Sequence, residues 1–340
     1  MKLRLRLLFL LSIELILIIV FSTSRLEDDI SYKIYTGVNK NLLNASLDYA
    51  DKLKLSSADK AILKKDNNKN EVTFNMYKVS DGKNKTNAYL LSGVSTTFKT
   101  QSVMSESSRG STYINYILYN SYPNVSLEEM GVTSEEEAYF ATKYALAYMT
   151  LLSGENNRLD EAGDLYSMHE AYKRHGFDTN VFKVAERLIS YSRMLKYDDV
   201  SLSSKIILDN SHINISLNNG RAAFGPFKIT TNNCILDKTD LQITDRNSNK
   251  VDYTLLDRNG RVIGSIVPNN DFYIAFDKNI NYVNANFSFN YYLVRSYIYK
   301  MKADDGLYLD FVVPIRTSKT TNHNIGLKVD KEVINNEASY

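Results

Sequence analysis

From about residue 200 to about residue 314, short runs rich in Ile, Val, Phe and Tyr alternate with Asn, Asp and Gly at intervals of roughly ten residues. This rhythm is typical of antiparallel strands that form two packed sheets. We expect strands at 206–217, 272–276, 286–299 and 307–314. The pair Asn259-Gly260 between two apolar runs also predicts a hairpin with a two-residue type I′ turn. The sequence therefore predicts an antiparallel β-sandwich over residues 201–330.

The segment before residue 200 contains a clear helical pattern. Ser134 followed three residues later by Glu137 forms the sequence of a capping box, and Glu135 and Glu136 suit the positive end of the helix dipole. Gly154 can end the same helix in a left-handed cap. Between these ends, small and apolar residues recur at helical spacing: Ala138, Ala141, Thr142, Ala145, Met149 and Leu152.

Other parts of residues 30–200 have mixed patterns. Apolar spacing predicts further helices at 159–176 and 181–195, and one or two short helices within 39–63. Residues 72–103 alternate in the manner of strands. The predicted fold class is α+β, with a mixed helical and β domain at 30–200 followed by the sandwich.

The N-terminal 24 residues have the pattern of an export segment. Lys2, Arg4 and Arg6 precede an apolar run over 7–21, and small serines follow, ending at Ser24. The run is shorter than the roughly 20 residues that span a bilayer comfortably. Residues 1–24 are therefore predicted to be a signal peptide or an N-terminal membrane anchor. Either outcome places the remainder of the chain in an extracytoplasmic location.

Composition excludes several functional classes. Forty-one Lys and Arg residues against 39 Asp and Glu give a formal net charge of +2, so the whole chain offers no electrostatic case for nucleic-acid binding. The single cysteine, Cys234, can form no internal disulfide and no structural zinc site of paired thiolates. With only four histidines, a histidine-rich metal site is not expected either. We expect no metal and no cofactor.

Residues 113–152 contain a tyrosine-proline stretch followed by the capped helix. The stretch includes Ile117, Leu118, Tyr119, Tyr122 and Pro123, and the helix includes Glu137, Ala138, Ala141, Thr142, Ala145 and Leu146. This ordered series resembles the thioester domain of Gram-positive surface adhesins, which has a stretch ending in Gly-Tyr-Pro and then a capped helix with an Ala-Thr-Gln-x-Ala-Ile-Trp motif. The chain departs from the pattern at Ser121 for glycine, Lys143 for glutamine and Ala147 for tryptophan.

The resemblance implies a chemistry whose two reactive residues have no counterpart here. In the family, a cysteine thiolate attacks the carboxamide of the motif glutamine, expels ammonia and leaves an internal thioester, which a host amine then attacks. Lys143 occupies the glutamine position and has no acyl carbon to donate. The family's cysteine lies before the tyrosine-proline stretch, but residues 25–112 contain no cysteine.

Substitutes for this pair are few. The other candidates are Gln101, Gln242 and Cys234, but Cys234 follows the motif helix in the chain, and a buried cysteine most often serves as a small hydrophobic residue. Lys143 has two interpretations: a solvated lysine on a helix face, or half of a crosslink or buried ion pair with Asp or Asn.

The sequence predicts an exported cell-surface protein with a degenerate thioester domain. Its role would be adhesive or structural, with non-covalent binding and no enzymatic activity. The expected partners are a host or cell-surface macromolecule, and the membrane if residues 1–24 are not cleaved. Two alternatives remain: an extracytoplasmic enzyme with an unrecognised cleft, and a structural component of a surface assembly.

Overall fold

A computed structural model describes residues 33–63, 72–91, 102–152, 179–197, 205–211, 214–218, 221–304 and 306–328. All helices and strands given below belong to the unit Tyr35–Tyr340. Of the unit Met1–Ile34, only residues 33 and 34 are described. The predicted export segment and the predicted helix at 159–176 lie outside the described residues.

In the described part of the chain, one short helix and five strands are followed by four helices, and only strands follow Tyr197. The helices are α1 Lys40–Asn44, α2 Thr112–Tyr119, α3 Leu127–Met130, α4 Glu135–Leu152 and α5 Thr179–Tyr197. The first strands are β1 Leu47–Asp48, β2 Lys52–Leu63, β3 Val72–Ser80, β4 Lys85–Leu90 and β5 Val103–Arg109. The later strands are β6 Lys205–Asp209, β7 Asn214–Asn218, β8 Arg221–Asn232, β9 Ile235–Thr244, β10 Tyr253–Leu256, β11 Asp271–Asp277, β12 Tyr282–Lys302 and β13 Tyr308–Lys328.

Six strands close into a ring of hydrogen-bonded neighbours, in the order β13-β4-β3-β2-β5-β12 and back to β13. All six pairings are antiparallel, and β12 and β13 are paired along their whole length, from Tyr282 opposite Lys328 to Lys302 opposite Tyr308. The two remaining strands of this sheet are β1, parallel to β13, and β9, antiparallel to β12. Side chains of all six strands pack together in one buried cluster, which includes Leu53, Tyr77, Tyr299 and Phe311.

The second sheet has the order β10-β11-β8-β6, and β7 also pairs with β8. Its apolar side chains pack against β9 and the far halves of β12 and β13, with Phe224, Phe227, Phe272, Phe287 and Phe289 in one buried cluster. This is a two-sheet sandwich, and the predicted fold class is confirmed. The domain boundary at residue 200 stays a prediction, because β12 and β13 pair with strands from both sides of it.

The helices form a layer against one side of the ring. Buried residues of α2, α4 and α5 share a cluster with Tyr89, Ile298 and Val312 of the sheet. The predicted helix at Ser134 is confirmed, and its cap departs from the prediction in one bond. The Glu137 amide donates to Ser134 Oγ at 3.3 Å, but the Glu137 carboxylate accepts from the Thr133 amide at 2.7 Å instead of closing the box on Ser134.

Two sequence predictions are wrong in detail. Only 40–44 of the segment 39–63 are helical, and β1 and β2 follow. The Asn259-Gly260 turn is a three-residue loop, in which the Asp257 amide donates to the Arg261 carbonyl at 2.8 Å and only Gly260 has positive φ, at 74°. The Asp257 carboxylate accepts from the amides of Asn259 and Arg261, which favours this loop over a type I′ turn.

The predicted strand at 206–217 is also divided. It forms β6 and β7, and both pair with β8. The strands predicted at 272–276, 286–299 and 307–314 are confirmed as parts of β11, β12 and β13. Among the described helices, none is both long and apolar enough to cross a membrane.

Candidate functional site

The small residues of the motif lie at the packed face of α4. Ala141, Thr142 and Ala145 are fully buried, and the Thr142 hydroxyl donates to the Ala138 carbonyl one turn earlier at 2.8 Å. Ala141 and Ala145 belong to the cluster in which α4 packs against α2 and α5, where small side chains let the helices come close. Ala147, where the family has tryptophan, is also buried. In this chain the motif frame therefore holds the helix layer together.

A second face of α4 is turned toward the sheet. The Tyr139 hydroxyl donates to the Ala88 carbonyl at 2.6 Å and accepts from the Tyr77 amide at 3.1 Å, and its ring stacks on Tyr89 at 4.9 Å. Burial raises the pKa of Tyr139 well above its usual range. Residues four apart share a helix face, so Lys143 lies one turn beyond Tyr139 on this side. The position that the resemblance assigns to glutamine thus faces the sheet.

The Lys143 side chain is half-buried. Burial lowers the pKa of its ammonium group to about 8, because the charged form is the one that loses hydration. Within the described part of the chain, no hydrogen bond or ion pair to Lys143 is found. The side chain is thus partly but not fully solvated, and the ion-pair interpretation gains no support from the described residues.

The tyrosine-proline stretch is fixed by two buried asparagines. The Asn120 side chain donates to the carbonyls of Tyr116 and Tyr35, and its own carbonyl accepts from the Tyr35 amide at 2.7 Å. Asn124 repeats the arrangement: its amide donates to the Tyr119 and Gly37 carbonyls, and its oxygen accepts from the Asn39 amide at 2.7 Å.

These asparagines tie residues 35–39 to the end of α2. Neither asparagine is predicted from the sequence to be important, although both flank the matched Tyr122-Pro123 pair and Asn is unusual in a buried position. Ser121, where the family has glycine, is buried as well, and its hydroxyl donates to the Ile117 carbonyl at 2.6 Å. The turn is thus held by side-chain hydrogen bonds from three polar residues within five positions, Asn120, Ser121 and Asn124.

Cys234 belongs to the other core of the molecule. It precedes β9, is buried among the aromatic residues of the sandwich, and its thiol donates to the Lys205 carbonyl at 3.4 Å. Burial raises the pKa of this thiol, which favours the neutral, unreactive form. Gln242 is exposed on β9, and Gln101 lies outside the described residues. The structure therefore does not bring Cys234 together with the α4 motif.

No group of three or more His, Cys, Asp or Glu side chains suited to a metal ion occurs in the described ranges. Of the four histidines, only His323 is described, and it packs edge-on against Phe289 at 5.5 Å.

Comparison with known proteins agrees with this geometry. Residues 63–192 match the family model of the thioester domain, which confirms the resemblance. The Bacillus anthracis TIE protein matches with a TM-score of 0.52 and 16% identity, over 82% of this chain and 49% of that one. The thioester domain of the Enterococcus faecium TIE86 protein matches with a TM-score of 0.48 and 15% identity, over 83% of this chain and 98% of that one.

At this identity, the Bacillus anthracis match shows a shared fold. The chain spans about half the length of that structure, 49%. No curated protein sequence matches.

Proposed function

We propose, from the thioester domain that residues 63–192 carry, that this chain is an exported cell-surface protein that binds without forming a covalent bond to its partner. Its acyl chemistry would be lost while its framework is kept. Thioester domains are typically found in surface adhesins or structural surface proteins, and the proposal places this chain among them as a degenerate member.

The observation that carries the proposal is Lys143 in the intact helical frame. The buried small residues Ala141 and Ala145 keep the packing of α4, while the side chain at the position assigned to glutamine is an amine. An amine side chain has no acyl carbon for a thiolate to attack, so it cannot form a thioester. Cys234 is buried in another core with its thiol pKa raised. In this proposal the chain is not an enzyme and uses no metal or cofactor.

Intact-mass measurement of the purified chain tests the loss of chemistry. An internal thioester lowers the mass by one ammonia, and methylamine then adds to the acyl carbon. We expect the mass calculated from the sequence, unchanged by methylamine. A deficit of one ammonia, or a methylamine adduct on any residue, would contradict the proposal.

Two variants serve as matched controls. Lys143→Gln restores the carboxamide without an upstream cysteine, and it should also give no adduct. Cys234→Ser removes the remaining thiol and should leave every mass result unchanged. An adduct that appears in the Lys143→Gln protein and disappears after Cys234→Ser would show that the two residues can meet.

Export and partner choice are further parts of the proposal. The basic residues and apolar run of 1–24 support export, and the near absence of cysteine fits an extracytoplasmic fold that does not depend on disulfides. The expected partner is a host or cell-surface macromolecule and not nucleic acid, with the membrane reached through residues 1–24 if they are retained. Cell fractionation with N-terminal sequencing of the surface-exposed protein tests both export and cleavage.

A further inference from the structure

A cavity lies where β4 and β13 separate. The two strands pair only at Phe311 opposite Leu90 and Val312 opposite Tyr89, and continuing that register would place Pro314 opposite Asn87. Proline has no amide hydrogen to donate to the ladder, so the pairing ends there. The Thr86 hydroxyl instead donates to the Ala45 carbonyl next to α1. The resulting gap encloses a cavity of about 300 Å³.

The cavity walls come from the sheet and from the helix layer. Lys78, Lys85 and Asn87 line it from one face of the β3–β4 pair, on which Lys78 is directly opposite Asn87. Leu118 of α2, Tyr122 and the prolines complete the apolar part of the lining. A volume of this size is at the lower end of small-molecule sites, which run from about 300 to 1,000 Å³. It suits one compact ring.

The charge around the cavity is positive. In the described part of the chain, neither Lys78 nor Lys85 forms an ion pair. The described residues that line the cavity include no Asp and no Glu. Two ammonium groups without an acidic neighbour in the lining favour a negatively charged ligand. Apolar walls beside an amide and a hydroxyl suit a ring with both C–H faces and hydroxyl groups.

We propose that this cavity binds a sugar acid that carries one carboxylate. Lys78 and Lys85 bind the carboxylate, the ring packs on Pro314 and Leu118, and Asn87 receives the ring hydroxyls. The ligand is either a free sugar acid or an acidic residue within a glycan. The inference extends the non-covalent binding proposed above by naming a ligand class, and it does not depend on the mass result.

Titration calorimetry of the full chain tests the site with three probes at equal ionic strength: glucuronate, a short hyaluronan oligosaccharide that contains glucuronate, and neutral glucose. We expect the acidic probes to bind at least about tenfold more tightly than glucose, as one charge-assisted contact allows. Tighter binding of glucuronate would identify a free acid as the ligand, and tighter binding of the oligosaccharide would identify a glycan.

Variants locate the binding. Lys78→Gln and Lys85→Gln should each weaken binding of the acidic probes by about five- to tenfold. Lys83→Gln is the matched control, because Lys83 lies exposed in the turn of the same hairpin and does not line the cavity. It should change affinity less than twofold.

Several results would overturn the assignment: equal binding of glucuronate and glucose, no binding of either acidic probe, or an equal loss in the Lys83 control. Tighter binding of a short acidic peptide than of both sugars would overturn it as well. None of these results would restore a thioester, so failure of the site and failure of the proposed function are distinguishable.

Discussion

The two halves of the β12–β13 pair differ in how many faces of the strands are buried. In the half that belongs to the sandwich, β12 alternates: Val283, Ala285 and Phe287 are buried, while Asn284 and Asn286 between them are partly exposed. In the half that belongs to the ring, both faces are covered. Ile298 packs with the helix layer, and Tyr299 next to it lies in the ring cluster.

The difference shows what the helices contribute. A strand in a two-layer sandwich needs one apolar face, and a strand between two cores needs two. The α2, α4 and α5 helices provide the second core over the ring half, and the motif residues Ala141 and Ala145 are part of it. The helices of the region that matches the thioester-domain family model therefore form the layer that covers one end of a long shared hairpin.

The largest expected effect is at the doubly covered half. Ile298→Asn removes buried apolar surface and places an amide in the helix-layer core, so we expect a loss of about 3–5 kcal/mol in the free energy of unfolding. Urea unfolding followed by fluorescence measures it. Ser288→Asn, on the same strand and the same alternating set of positions, should change stability by less than about 0.5 kcal/mol. Equal effects at both positions would refute the distinction between the halves.

A smaller loss is expected in the turn that attaches the helix layer. Asn124→Ala leaves the Asn39 amide and the Tyr119 and Gly37 carbonyls without their side-chain partner, at a cost of about 2–3 kcal/mol. Differential scanning calorimetry gives the change in Tm. Asn279→Ala is the control, because that asparagine is exposed in a turn and only its backbone amide is bonded to Asp277. An unchanged Tm in Asn124→Ala would mean that this network does not hold the layer.

Removing the buried charge should stabilise the same layer. The Lys143 pKa, about 8 in the folded chain, lies below the ordinary lysine value of 10.5. Between these two values the unfolded chain binds a proton that the folded chain does not, so stability rises with pH through this window. The cost of the buried ammonium group is fully present below pH 8. We therefore expect Lys143→Met to gain about 2 kcal/mol at pH 7.

The gain from Lys143→Met should shrink as the pH approaches 10.5. Chemical unfolding of both proteins at several pH values isolates the effect, since all other titrating groups are shared. A gain that does not change with pH would assign the stabilisation to packing instead of charge.

The smallest effect is expected on the open face of the sandwich half. Asn286 lies between Gln242 and Asn324 on neighbouring strands, and all three are at least partly exposed. Asn286→Ala should change the free energy of unfolding by less than about 0.5 kcal/mol in a urea titration. A loss above 2 kcal/mol would show that this face is as firmly packed as the ring half.

Periodicity and caps predicted much of this fold. The helix from Ser134 and the strands around Phe272 and Tyr299 could be predicted because the spacing of apolar residues and the capping residues lie within a single segment. The prediction of helices within residues 39–63 was wrong in part, because leucines such as Leu47, Leu53 and Leu55 fit helical spacing as well as the alternation of a strand. Strands of the ring half are buried on both faces, so they lack the polar residues that alternate with apolar ones in a half-exposed strand. Their sequence therefore predicts a strand less clearly.

Pairing partners could not be predicted in the same way. The ring closes only because β12 and β13 return to pair with β5 and β4, roughly 190 and 220 residues earlier, and local sequence does not encode such distant neighbours. The candidate site could not be predicted for the same reason, since it depends on contacts between residues that are distant in the sequence. From the sequence alone, Lys143 is an ordinary helix lysine, because its surroundings depend on how β3 and β4 pack against α4. The cavity at Pro314 lies between strands that are far apart in the chain.

The continuous β12–β13 hairpin has a consequence for how the molecule comes apart. Its backbone hydrogen bonds serve two hydrophobic clusters at once, so loosening either cluster weakens the support of the other. Hydrogen exchange would then report one shared opening along the hairpin, and heating would give a single cooperative endotherm instead of separate transitions for the helical and all-β parts.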